Sequence, residues 1–174
     1  MSPDPHESPI HAWPIERLEA YATTLLYSEL EAVRSIAADH AYRSDEPRHA
    51  RLRWAKLSLS TNERVHPDGP GSRVRRLSTN FMLRTWIIEH LGPDTDPDWN
   101  PATLAADTLA AFTFDLDQAG ALSQGWHERP IEQIRELRDH KNLTAHLECL
   151  IGHLQPGPNT DLLAAWIEVR IHLP

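Results

Sequence analysis

From Pro14 to Arg43 the chain contains no glycine and no second proline. Ile15, Leu18, Ala22, Leu25, Val33 and Ile36 recur there near the helical period, and Leu26, Tyr27 and Leu30 widen the apolar face. Pro14 suits the first helical position, where a missing N–H costs nothing. The stretch predicts one helix approaching about 28 residues, well beyond the usual length, around which shorter helices pack. Residues 1–13, with Pro3, Pro5 and Pro9, read as a flexible tail.

Later breakers divide the chain into further helical stretches. Ser44 or Asp45 is placed to cap a second helix running to about Val65. The alternation Leu57-Ser58-Leu59-Ser60 offers a strand as the competing reading, but no partner strand is evident. After the loop His66–Gly71, Ser72 caps a third helix with Val74, Leu77, Phe81, Ile88 and Leu91 as its stripe, ended by Gly92 and Pro93. Asn100-Pro101 starts a fourth helix, Asp115 a shorter one and Pro130 another, with a bend expected at 139–142. Asn159 or Thr160 caps the last. The expectation is an all-α fold, an irregular or orthogonal bundle of six or seven helices in one domain, 14–174. Six tryptophans spread along the chain favour a shared core.

One cysteine, Cys149, excludes an internal disulfide and a Cys-rich zinc motif. The first residues lack the pattern of a secretory signal, and no stretch is apolar enough to span a membrane. A cytoplasmic protein is the expectation.

Net charge is −8, distributed unevenly: −5 over residues 1–42, +6 over 43–84 and −9 over 85–174. The basic middle is the most informative feature. Arg73, Arg75 and Arg76 follow Ser72 at a helix start, where cations oppose the helix dipole unless an anion is present. Amides and guanidinium forks together suit a phosphate. Arg48, Arg51, Arg53, Lys56 and Arg84 extend the surface. The competing reading is that these cations pair with the chain's own carboxylates or with those of a second copy. Gly71-Ser72-Arg73 lacks the lysine of a nucleotide-binding P-loop.

Other patterns are weaker. Asp94, Asp96 and Asp98 alternate as at the front of a calcium loop, but Trp99 and Ala105 stand where a glycine and a glutamate are needed, which rejects an EF-hand. His146, Cys149 and His153, spaced three and four apart, would share a helix face and give three metal ligands. Glu136 and His140 have the wrong spacing for a di-iron bundle. No nucleophile elbow or zinc-protease motif is present, so no catalytic residue and no cofactor is assigned. The sequence favours a non-enzymatic binding or regulatory protein that contacts a phosphate-bearing or acidic partner, nucleic acid being one form. The alternatives are a helical metal protein or enzyme at His146, Cys149 and His153, and a structural subunit of a larger assembly. Because the first helix is apolar over much of its circumference, Tyr27 and Leu30 need cover from other helices or from a second copy, and a homodimer is expected.

Overall fold

A computed structural model describes residues 9–66 and 72–174, the side chains of Ser72 and Arg75 excepted. The fold is all-α, with no strand among the described residues. No helix there is long and apolar enough to cross a membrane. The chain divides into two compact units, Met1–Ser72 and Arg73–Pro174. Of the expected tail, residues 1–8 lie outside the description, and Ile10–Ala12 form a 3₁₀ turn.

In the first unit the expected long helix is two helices, α1 (Ile15–Thr24) and α2 (Tyr27–Tyr42). Between them Leu25 and Leu26 have extended backbones. The cause lies partly in local side chains and partly far along the chain. Thr23 and Thr24 hydroxyls donate back to the carbonyls of Ala20 (2.7 Å) and Tyr21 (2.8 Å). The Arg64 guanidinium donates to the carbonyls of Ala22 (2.6 Å) and Leu25 (3.1 Å), supplying partners that a continuing helix would have supplied itself. Leu25 turns inward and Leu26 outward.

The next helix, α3 (Arg48–Val65), starts after Pro47 rather than at Ser44 or Asp45. Glu46, expected in its first turn, instead meets His40 Nδ1 at 2.5 Å. The Leu57–Ser60 segment is helical, so the strand alternative falls away. Helices α2 and α3 pack along one another, with α1 against both. Small residues Ala37, Ala41 and Ala55 are fully buried and permit close approach, and the His40 ring stacks on Trp54. Leu30 is buried within the subunit, so it needs no second copy to cover it.

The second unit contains α4 (Ser72–Leu91), α5 (Pro101–Ala111), α6 (Leu116–Ser123), α7 (Ile131–Thr144), the short α8 (Leu147–Ile151) and α9 (Pro158–Arg170). Gly92 follows α4 at φ +83°, the left-handed stop that its sequence predicts. Asn100 caps α5 by accepting from the amides of Ala102 and Thr103, and Asp115 and Gln118 form a capping box on α6. Helix α9 begins one step before the expected cap, with Gly157 ahead of Pro158. The bend expected at 139–142 falls after Thr144. Helix α7 continues unbroken through Asn142 to Thr144, with Leu137, His140, Leu143 and Thr144 buried along it. Phe81, Ile88, Leu104, Leu143, Leu147, Leu163 and Trp166 belong to the core.

Candidate functional site

The basic residues singled out in the sequence fall on both units. Arg48, Arg51, Arg53 and Lys56 are on α3, and Ser72, Arg73, Arg75, Arg76 and Arg84 are on α4. Several are already occupied. Arg51 is buried and donates from Nε to the Ala41 carbonyl at 3.0 Å, at the end of α2. Arg53 bridges Glu19 (3.0 and 2.6 Å) and Glu16 (2.5 Å), which raises its pKa further above the usual arginine range. Arg84 is buried, with bonds to the carbonyls of Asp98 (2.9 Å) and Pro97 (3.0 Å) and to the Asp107 carboxylate (2.6 Å). Arg48, Lys56 and the half-buried Arg76 have partners too. Arg73 is exposed. The side chains of Ser72 and Arg75 lie outside the description.

The histidine–cysteine triplet does not form a shared helical face. Helix α8 is a single turn, with His146 before it and His153 beyond it. Among the described residues no group of three His, Cys, Asp or Glu is placed to hold a metal. The Cys149 thiol is raised above its ordinary pKa, first by desolvation and then by the Glu89 and Glu148 carboxylates, which makes it a poor thiolate nucleophile.

A cleft with both aromatic and acidic lining lies elsewhere in the second unit, where the link from α5 to α6 meets α9. The run Phe112-Thr113-Phe114-Asp115-Leu116-Asp117, together with Leu109, Leu162 and Trp166, lines an open cleft of about 610 Å³. Its inner support is His140 on α7, which is 2% exposed. The imidazole lies against Phe112, Phe114 and Trp166, with ring centroids 5.3, 4.8 and 5.4 Å away. Thr113 donates its backbone N–H to His140 Nε2 at 3.1 Å, and Thr113 Oγ1 lies 2.8 Å from the same nitrogen.

This geometry fixes the tautomer. Nε2 accepts a backbone N–H, so it carries the lone pair, and the proton of the neutral ring is on Nδ1. The Thr113 hydroxyl then donates to Nε2 as well, and its oxygen lone pairs remain available as acceptors. Nδ1 is buried without a hydrogen-bond partner. Burial alone lowers the His140 pKa to about 4, so the ring is neutral at pH 7.

The Thr113–His140 spacing is that of a nucleophile and its base, but the chemistry is wrong. Nε2 is shared with an amide N–H, its pKa is too low for efficient proton abstraction near neutrality, and no carboxylate meets Nδ1 to stabilise an imidazolium. The bond positions the Thr113 loop and does not activate the hydroxyl.

A second cavity, of about 460 Å³, lies at the starts of α5 and α9 and includes Asn100, His153 and Asn159. Asn100 is used there as the cap of two α5 amides, and the Thr160 hydroxyl donates to the Gln155 carbonyl at 2.7 Å.

None of the cleft residues stands out in the sequence as a site residue, and Asp115 is marked there only as a helix start. The available signal was a pair of aromatic residues, Phe112 and Phe114, followed directly by a pair of acidic ones, Asp115 and Asp117, within a stretch from Thr85 to Glu128 that has eight carboxylates and no lysine or arginine. Comparison of the chain with protein-family models, with curated proteins and with solved structures gives no match.

Proposed function

We propose that the chain is a non-enzymatic binding protein whose ligand occupies the aromatic cleft of the second unit. The observation that carries this reading is the lining itself. Leu109, Phe112, Phe114 and Leu162 supply apolar area, while Thr113, Asp115 and Asp117 supply a few polar groups, in a volume suited to a small molecule. Equilibrium dialysis of the full chain against a neutral aromatic alcohol, 1-naphthalenemethanol, tests it. Saturable binding is expected, and Leu162→Trp, which places bulk at the cleft wall, should abolish it. No saturable binding at millimolar probe would refute the reading.

A second reading keeps the basic segment as a contact for a phosphate-bearing or acidic partner, nucleic acid included. It is favoured by one observation: α4 begins with Arg73 and Arg76 and has no acidic residue in its first turn. Fluorescence anisotropy with DNA and RNA at ~50 mM salt tests the nucleic-acid form, because phosphate contacts are strongest at low salt. We further propose a cytoplasmic location, in keeping with a single cysteine that has no disulfide partner. Homodimerisation, or assembly into a larger complex, would use the exposed pair Leu26 and Tyr27.

A further inference from the structure

We infer that the cleft takes a small organic cation with an aromatic or apolar body, such as an arylalkylammonium. The inference rests on the reading that this cleft is the ligand site and adds the class of ligand. Two independent features of the lining point to it. The first is hydrogen-bond polarity. Asp115 and Asp117 present acceptors only, and the Thr113 hydroxyl proton is committed to His140 Nε2, leaving oxygen lone pairs. One oxygen of Asp115 is used by the Gln118 amide at 2.7 Å, whereas Asp117 is exposed and unused by the capping box. A ligand satisfying these groups has to bring donors.

The second is charge. No lysine or arginine lines the cleft, and the chain segment that builds most of it has none between Arg84 and Arg129. Two carboxylates with no basic partner in the lining set a negative potential over the cleft, beside the half-buried Phe112 and Phe114 rings. An anionic ligand would meet repulsion from Asp115 and Asp117 and no cation to offset it.

The test compares three probes of one shape: 1-naphthylmethylammonium, 1-naphthalenemethanol and 1-naphthoate, by equilibrium dialysis with the full chain at pH 7. The ammonium should bind about tenfold or more tightly than the alcohol at ~20 mM ionic strength, and naphthoate more weakly than either. The preference should shrink at ~500 mM salt and fall severalfold in Asp117→Asn, because the ammonium loses more from removal of the charge than the neutral alcohol does. Equal binding of all three would leave the cleft as a ligand site and overturn the cation inference, as would a preference for naphthoate. Absence of binding by any probe would overturn the cleft reading and the inference with it. A cation preference that persists undiminished in Asp117→Asn would place the cation elsewhere and overturn the inference alone, whereas binding that persists in Leu162→Trp would overturn the cleft reading as well.

Discussion

Thr113 and His140 are 27 positions apart in sequence, yet the Thr113 amide and hydroxyl both converge on one imidazole nitrogen, at 3.1 and 2.8 Å. The pair ties the α5–α6 link to α7 and makes the shape of the cleft depend on a neutral, buried histidine.

That dependence has a pH signature. The folded pKa of His140 is about 4, against about 6.5 when unfolded. Between those values the unfolded chain binds the extra proton, so the stability contribution is complete above pH 6.5 and is lost as pH falls towards 4. Burial lowers His146 in the same direction. Urea midpoints at pH 7 and pH 5 should therefore fall in the wild type. They should fall less in His140→Phe, whose ring is suited to the surrounding aromatic residues. An identical drop in both proteins would remove His140 as the cause.

The sequence states its helix boundaries most clearly where the signal is local. Asn100-Pro101, the start at Asp115, and Gly92-Pro93 each carry their signal locally, and each was legible, although the part of Gln118 in the Asp115 capping box was not. The break after Thr24 was not, because the guanidinium that satisfies its carbonyls comes from Arg64, about forty residues away. The cleft was hidden for the same reason: Phe112, His140 and Trp166 share no sequence period. Conspicuous charge drew attention to the basic middle instead, where Arg51, Arg53 and Arg84 turn out to hold carbonyls and carboxylates of the chain itself.

Arg84 should be the most costly of those arginines to remove. Its guanidinium is buried and satisfies the carbonyls of Pro97 and Asp98, which form the turn that leads into α5. Arg84→Ala is expected to destabilise by about 2–3 kcal/mol, since two carbonyls lose a charged donor and packing is lost as well. Asp107→Asn should cost under ~1 kcal/mol, because that side chain is 47% exposed and water replaces the arginine. Chemical denaturation of the two variants checks the ordering, and equal costs would contradict it.

Arg64→Ala tests the cause of the α1–α2 break. Freed from the guanidinium, the carbonyls of Ala22 and Leu25 lose their distant donor, and the end of α1 should fray. Hydrogen exchange should quicken at the amides of residues 20–25, while those of the α2–α3 pair stay protected. Unchanged exchange at the α1 end would show that the threonine hydroxyls suffice alone.

Self-association can now be separated from folding, because the two candidate leucines have opposite surroundings. Leu30 is 2% exposed and belongs to the α2 core, whereas Leu26 is 80% exposed beside Tyr27 at 52%. Leu30→Glu buries a charge without a partner and should unfold the first unit, at a cost of ~3 kcal/mol or more. Leu26→Glu adds charge where water already reaches, so circular dichroism and thermal midpoint should stay near wild type. If a second copy covers this pair, light scattering at micromolar concentration should give a dimer mass for the wild type and a monomer mass for Leu26→Glu. A wild-type mass near the 19.8 kDa of one chain would refute the homodimer. A dimer that persists in Leu26→Glu would place the contact on another surface.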